Sequence, residues 1–477
     1  MSTPALRLAG RAVRNSTLVL AANIVSRLVA LVMVVVLARS LGPTEYGRYT
    51  TMVSFSAIIS VLSDLGLDTL YTREAARNPD RQPVYLGMVL VGQVPLAVIT
   101  VFVFGLALTT ADLQDLILPG SLLLILTTYS QVLRNTFYAT GRLGFEVIAI
   151  LAQVAIQAAG IIGGARLHLG VTFFIAVYAA SYAFVALYCA VVIPLFRVGS
   201  IRLGFPRVLL WRWLRLAFPF ALGALLTNVY FKADVPILQH FRPYAEVGWY
   251  TFAYKPFEAL QFVPLAIQSV VFPVLAVAHR QTPERMELFY GRFLKILILL
   301  GWPVSLGTFL LVAPIGRVFN LFPESIPSLR ILAFGIAFLF ANSAFTAMLF
   351  AIDRQGWFVW VTAIASVVNI GLNLIFIPRY GYLAASATTV ITEASISVAG
   401  YLFVARRYRL RWVRLLWRGV VAGLVMGVVL YPLRDHSILL TMPVGAIVYV
   451  AALLLLRAVD RDELRALWAG VWGRVTT

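Results

Sequence analysis

The chain has one cysteine and four histidines in 477 residues, and only 20 Asp and Glu against 39 Lys and Arg; three of those cations are lysines. Cys189, alone in an apolar run, excludes an intrachain disulfide and a thiolate metal cluster, and reads as a small core residue. His168, His240, His279 and His436 are scattered with no metal-ligand spacing, and no P-loop, dinucleotide fingerprint or nucleophile elbow occurs. The expectation is a protein that is not an enzyme and holds no cofactor or metal. Long polar stretches are missing too, so little of the chain is free to form a separate soluble domain.

What fills the chain is apolar: 61% of residues are hydrophobic and 12% charged. Windows of about 20 apolar residues, the length that crosses a bilayer core, recur from end to end. The class is an all-α polytopic membrane protein of about fourteen transmembrane helices, predicted at 17–38, 50–71, 84–108, 117–138, 145–165, 171–195, 214–240, 247–276, 293–314, 328–351, 357–378, 382–404, 416–433 and 437–457. The first run is too long and too continuous for a cleavable signal, and Arg7, Arg11 and Arg14 before it read as a cytoplasmic anchor.

A net charge of +19 raises the question of nucleic acid, and the placement of the cations answers it. With the N-terminus inside, cytoplasmic segments carry 28 Lys and Arg and outer segments eight; Arg27, Lys232 and Lys255 lie within spans. That skew over short loops is the positive-inside pattern, so the charge sets topology, with both termini cytoplasmic, and nucleic acid is not a partner. In the tail, Leu464, Leu467, Trp468, Val471 and Trp472 follow helical spacing and are expected to lie on the inner leaflet.

The chain repeats itself. Glu45-Tyr46-Gly47-Arg48-Tyr49-Thr50 returns as Glu246-Val247-Gly248-Trp249-Tyr250-Thr251, and Ala139-Thr140-Gly141-Arg142 returns as Ala351-Ile352-Asp353-Arg354. Both second copies fall six spans after the first, as a duplicated six-helix unit requires. The expected organisation is an N-terminal six-helix lobe over 1–200, a C-terminal six-helix lobe over 201–410 in parallel repeat, two further helices over 411–457, and a cytoplasmic amphipathic tail over 458–477.

Several segments carry a resemblance: Leu37-Ala38-Arg39-Ser40-Leu41-Gly42-Pro43-Thr44-Glu45-Tyr46-Gly47-Arg48-Tyr49, Asp64-Leu65-Gly66-Leu67, Tyr254-Lys255-Pro256-Phe257-Glu258, Asn369-Ile370-Gly371-Leu372-Asn373 and Ile377-Pro378-Arg379-Tyr380-Gly381-Tyr382. This ordered set resembles bacterial polysaccharide-unit (Wzx-type) flippases of the multidrug/oligosaccharidyl-lipid/polysaccharide exporter superfamily. The resemblance implies alternating access between two lobes in the bacterial cytoplasmic membrane. It also implies an undecaprenyl-pyrophosphate-linked glycan as cargo, membrane lipids as neighbours and polysaccharide polymerase machinery as a further partner. Two departures stand out: Asp353 replaces the glycine of the first copy, and Pro256 follows Lys255 directly.

An ionised group in hydrocarbon costs several kcal/mol, so charged residues inside spans face a partner or a watery path. Arg27, Lys232 and Lys255 are the candidate substrate-binding residues, because a lipid pyrophosphate is a concentrated anion. Asp64, Asp234, Glu258 and Glu393 are the candidate ion-coupling residues or charge partners: Asp234 and Glu258 beside the two lysines, Asp64 within reach of Arg27, and Glu393 with no basic neighbour in sequence. Asp68 is expected against Arg73, and Asn228, Asn342, Asn369 and Asn373 as hydrogen-bonding groups for sugars or neighbouring helices. A lipid-dependent glycosyltransferase or ligase would bring an acidic outer loop, and the first outer loop offers only Glu45. A drug/cation antiporter of the same fold calls for an anionic or aromatic pocket, whereas this midzone holds three cations. A lipid II flippase is the alternative that the residues do not separate.

The skew of cations predicts labelling. In a Cys189→Ala background, single cysteines at Gly141 or Arg354 should resist a membrane-impermeant thiol reagent in intact cells, and cysteines at Asp112 or Arg434 should react. Reversed labelling overturns the topology.

Overall fold

The computed structural model describes residues 4–204, 206–281, 286–406 and 412–458. The described residues are helical apart from short turns and connectors. In chain order the helices are α1 (Pro4–Ile59), α2 (Val61–Asp64), α3 (Leu67–Arg77), α4 (Gln82–Thr110), α5 (Ile117–Ala139), α6 (Leu143–Arg166), α7 (Val171–Leu195), α8 (Arg207–Lys232), α9 (Asp234–Phe241), α10 (Tyr244–Leu260), α11 (Phe262–Gln281), α12 (Met286–Leu310), α13 (Val312–Val318), α14 (Ser325–Ala351), α15 (Gln355–Ala405), α16 (Trp412–Leu433) and α17 (Ile438–Leu455). The expected amphipathic tail residues Leu464, Leu467, Trp468, Val471 and Trp472 lie outside the described residues.

Eleven of these stretches are long and apolar enough to cross a membrane, and twelve if the bent pair Tyr244–Ser269 and Val271–Gln281 is one span. Two of the eleven, Thr17–Asp64 and Gly356–Ala405, hold 48 and 50 residues. At 1.5 Å per residue such stretches run about 70 Å, more than twice a bilayer core of about 30 Å. Each is interrupted by a glycine outside helical geometry: Gly42 at φ 72° and Gly381 at φ 59°.

Contacts divide the chain into two compact units, Met1–Thr251 with Ile377–Gly381, and Phe252–Phe376 with Tyr382–Thr477. In the first, α5 packs on α7, α1 on α6, and α3 on α5 and α8. Its cores gather Leu67, Leu70, Tyr71, Val89, Phe137, Cys189 and Trp213 in one cluster and Met52, Phe104, Leu124 and Ile175 in another. In the second, α12 packs on α14 and α16, and α16 on α17. The surface is the reverse of a water-soluble protein's: Phe102, Leu118, Val428 and Leu439 are exposed, as hydrocarbon-facing side chains should be.

Several predicted spans are broken where hydropathy reads continuity. The span predicted at 50–71 breaks at Leu65 and Gly66, both left-handed, so α2 ends at Asp64 and α3 restarts at Leu67. The span predicted at 214–240 breaks at Ala233, the one at 247–276 at Gln261 and the one at 293–314 at Leu311. Windowed hydropathy averages over one or two residues, whereas a helix break needs no more than that.

The sequence repeat has a structural counterpart within the first unit. A methyl added at Gly47 would overlap the main-chain carbonyl of Tyr244, and one added at Gly248 would overlap the main-chain carbonyl of Pro43. Gly47 and Gly248 are repeat-equivalent, and at the same spacing so are Pro43 and Tyr244, so each copy touches the other through the same pair of positions. That reciprocity marks a contact across a two-fold relation. Thr50 and Thr251, also equivalent, have their hydroxyls at hydrogen-bond distance, 3.1 Å, one donating to the other, and each hydroxyl also lies near the carbonyl four residues back, Tyr46 at 3.0 Å and Val247 at 2.7 Å. The second pair of repeats agrees in backbone: Gly141 has φ 69°, and Asp353, which replaces it, has φ 56°. Asp is among the few side chains that tolerate this region.

Helix propensity favours alanine over glycine by about 1 kcal/mol, while overpacking costs about 1–3 kcal/mol. Gly47→Ala and Gly248→Ala should therefore both lower the melting temperature, by similar amounts. Gly307→Ala on α12, with nothing within 4 Å of the added methyl, should leave it unchanged or raise it. A neutral Gly248→Ala beside a damaging Gly47→Ala contradicts the reciprocal contact.

Candidate functional site

The polar groups that a membrane helix must satisfy fall into small, separately built clusters. Arg27 is exposed on α1. Lys232 is half-buried in the last turn of α8, two residues before Asp234 opens α9. Asp234 is 6% exposed. Its carboxylate accepts from the Tyr250 hydroxyl and from the Val235 main chain at 2.9 Å, with the Lys232 charge acting on it as well. Tyr250 is therefore the direct partner of this acid, which the focus on charged neighbours missed. Its position in the duplicated Tyr-Thr pair was the available signal.

Lys255 and Glu258 stand one turn apart on α10 and pair at 2.8 Å through Nζ and Oε2. Pro256 sits between them inside the helix and removes one backbone donor there, so the turn that carries the pair is a natural point of bending. Both side chains are partly open, at 26% and 38% exposure. Both partners are therefore within reach of another charged group.

Glu393 on α15 is 4% exposed. Asn342 of α14 donates through Nδ2 to its Oε2 at 2.7 Å and to its main-chain oxygen at 3.0 Å, and Ser397 donates to Asn342 Oδ1 at 2.7 Å. Alongside runs a second chain of neutral groups: Asn369 donates to Thr392 at 3.2 Å, Asn373 to Asn369 at 2.9 Å, and Thr388 to Asn373. Asn342 thus joins α14 to α15, Asn369 and Asn373 tie together the parts of α15 on either side of Gly381, and Asn228 joins α8 to α1 in the first unit, donating to the Ala57 carbonyl at 2.7 Å. Thr388, Thr392 and Ser397 were not singled out by sequence, although hydroxyls one turn apart in an apolar run were a usable signal.

Asp64 accepts three hydrogen bonds, from the Gly66 main chain at 2.9 Å, the Asp68 main chain at 3.0 Å and Gln93 Nε2 at 2.9 Å. These donors, and not Arg27, are its hydrogen-bond partners. Asp68 also differs from expectation: its carboxylate turns to the main chain and hydroxyl of Thr69, as an acid in a first helical turn is placed to do. Arg73 pairs instead with Glu74 at 3.0 Å and covers the Phe220 ring at 5.7 Å.

A further buried pair escaped the sequence reading. Arg134, counted there as a cytoplasmic cation, grips Glu146 from α5, with Nε at 3.1 Å from Oε1 and 3.2 Å from Oε2, and with Nη2 on the same carboxylate. Gln153 at 3.4 Å and Tyr138 at 3.3 Å complete the cluster around a fully buried Glu146. Removing one partner of such a pair typically costs about 3–5 kcal/mol, because the other charge stays buried. No anion route follows from it, since the arginine's charge is already met by a buried carboxylate.

Among the described residues no group of three His, Cys, Asp or Glu side chains is arranged to hold a metal ion. A cavity of 600 Å³ opens in the first unit between Pro79–Pro83, Ala139–Thr140 and Pro194–Ser200, with Arg197 at its wall. None of the candidate residues lines it.

Long apolar helices, internally satisfied polar clusters and broken spans define a multi-pass membrane protein. The chain belongs to the polysaccharide biosynthesis protein family, whose model matches residues 12–279. Its fold is similar to that of the lipid II flippase MurJ in an inward closed conformation, with a TM-score of 0.78 at 15% identity over 92% of this chain and 99% of that one. It is also similar to an inward-facing multidrug resistance MATE family transporter of the MOP superfamily, with a TM-score of 0.65 at 17% identity over 80% and 94% of the two chains. A MOP superfamily transporter from Pyrococcus furiosus gives 0.54 at 15% identity, over 83% and 95%. Among curated proteins, none matches the sequence. The likeness establishes a MOP transporter fold.

Proposed function

We propose that the protein is a flippase that moves an undecaprenyl-pyrophosphate-linked oligosaccharide from the inner to the outer leaflet of the bacterial cytoplasmic membrane for cell-surface polysaccharide biosynthesis. The observation that carries this reading is membership of the polysaccharide biosynthesis family in a chain of MOP transporter fold. In this reading each of the two long stretches interrupted at Gly42 and Gly381 is two spans folded at the glycine, which with the bent pair gives fourteen, and both termini are cytoplasmic. The two lobes are those of the repeat, over 1–200 and 201–410. A polymerase that takes up the delivered glycan is the natural partner.

The cations Arg27, Lys232 and Lys255 bind the pyrophosphate. Lys255 does so by exchanging Glu258 for a phosphate oxygen, an exchange that the partial exposure of both partners supports. Asp234, Asp64 and Glu393 are the acids available for coupling to an ion gradient, and Glu258 is the counter-charge released when cargo binds. Transport of lipid II is the second reading, favoured by the extent of the likeness to MurJ.

A charged hydrogen bond contributes about 1.5–3 kcal/mol, and each 1.4 kcal/mol is tenfold in affinity. Lys255→Ala should therefore weaken binding of the pyrophosphate-linked glycan about tenfold or more, with protein abundance and melting temperature little changed. Binding measured on purified protein checks this. Should Lys255→Ala with Glu258→Ala regain the affinity that either single change removes, the pair is a helix clamp and the cargo role fails.

A further inference from the structure

The 600 Å³ cavity of the first unit plays no part in the transport reading, and its lining sorts by chemistry. α3 ends at Arg77, α4 begins at Gln82, α5 ends at Ala139 and α7 ends at Leu195, so the cavity lies where helices terminate. Acceptors come from around the start of α4 and the end of α5. Asp80 brings a carboxylate. Gln82 is buried and spends Nε2 on the Tyr71 hydroxyl at 3.0 Å, while its Oε1 accepts from the Ser200 main chain at 3.3 Å and keeps a second lone pair. Thr140 donates to the Thr136 carbonyl at 2.7 Å, which leaves its own oxygen open as an acceptor. Donors come from the stretch after α7, as the Arg197 guanidinium and the Ser200 hydroxyl.

Two observations point to a ligand. Asp80 and Arg197 line one cavity with opposite charge, yet neither has a hydrogen-bond or ion-pair partner among the described residues. Arg197 also takes φ 51° just past α7, where Val198 and Gly199 donate back to the Ile193 carbonyl at 3.0 and 3.3 Å. Glycine is the usual residue at such a helix end, and strain of this kind gathers at ligand clamps. The stretch it stands on is held against α4: a methyl added at Gly199 would lie 2.6 Å from Gln82 Oε1, and one added at Gly87 would overlap the Arg202 carbonyl.

The surroundings set the depth. Arg77, Asp80 and Arg81 are exposed, and so, next in sequence to the lining residues Pro83, Pro194 and Arg197, are the apolar Val84, Leu195 and Phe196. A boundary between charged and apolar surface is where lipid headgroups lie. A ligand that is only anionic meets Asp80 as a repelling charge, and one that is only cationic meets Arg197 in the same way. A phosphodiester that bears a primary ammonium satisfies both, and the three N–H donors of the ammonium match the three acceptors.

We propose that this cavity binds the headgroup of an aminophospholipid, with the phosphate on Arg197 and Ser200, the ammonium on Asp80, Gln82 and Thr140, and the acyl chains leaving past Leu195 and Phe196. The site is separate from the cargo residues and rests only on the membrane setting.

The test is native mass spectrometry of the full-length protein in detergent, titrated separately with dioleoyl phosphatidylethanolamine, phosphatidylcholine and phosphatidylglycerol. The wild type should bind the ethanolamine lipid about tenfold more tightly than the choline lipid, whose trimethylammonium has no N–H to donate, and than the anionic glycerol lipid. Arg197→Gly should weaken ethanolamine-lipid binding about tenfold while the melting temperature holds or rises, because glycine suits the left-handed position. Asp80→Asn should narrow the preference over phosphatidylglycerol, and Arg166→Gln, at the far end of α6, should change nothing. Equal binding of the three lipids, tighter binding of phosphatidylglycerol, or ethanolamine-lipid binding retained in both Arg197→Gly and Asp80→Asn overturns the proposal. Displacement of the lipid by an equal concentration of soluble glycerophosphoethanolamine also overturns it, in favour of a soluble aminophosphate. No outcome bears on which cargo is carried, so failure here leaves the flippase reading standing.

Discussion

Every backbone and side-chain polar group placed in hydrocarbon must find its partner within the chain, because no water is there to supply one. The rest of this structure follows from that constraint. Regular helices meet it residue by residue, and each interruption calls for a local repair. At the α2–α3 break the repair is the Asp64 side chain. At the glycine break in α15 it is Arg242, whose guanidinium donates to the carbonyls of Ile377 at 3.4 Å and Pro378 at 3.1 Å. Charges obey the same rule, as Arg134 with Glu146 and Lys255 with Glu258 illustrate. What differs between these pairs is openness: the first is sealed and structural, the second half-open and available.

The reciprocal approach of Gly47 and Gly248 gives the duplication a physical purpose. Without a hydrophobic driving force between helices in lipid, close association depends on small residues that let backbones touch. A duplicated segment supplies the same small residue to both sides, so one sequence solution serves twice, and the Thr50–Thr251 bond adds a polar tie at the same crossing.

Composition and hydropathy made the membrane class and most helices legible, because the bilayer imposes one length and one polarity on every span. The repeat was legible for a related reason: its small and left-handed positions tolerate few residues, so Gly47, Gly248 and the Gly141–Asp353 pair kept their character. Interruptions of one residue were not legible, since hydropathy carries no backbone information; Asp64-Leu65-Gly66 was the exception that turn chemistry had offered and apolar averaging concealed. Partner choice was the other blind spot. Sequence proximity suggested Arg73 for Asp68, which Thr69 satisfies instead, and for Asp234 it offered Lys232, whose charge does act there, without Tyr250, which helix packing delivers. Asn342 reaches Glu393 across 51 residues of chain, a pairing that depends on which helices meet.

The central claim is that this chain carries a lipid-linked oligosaccharide across a bilayer, and it is tested most directly by reconstitution. Purified protein in liposomes containing a fluorescent undecaprenyl-pyrophosphate-linked oligosaccharide should render the inner-leaflet fraction accessible to a membrane-impermeant quencher, much faster than protein-free liposomes do. Rates indistinguishable from protein-free liposomes, or acceleration confined to a cationic drug, would contradict the account.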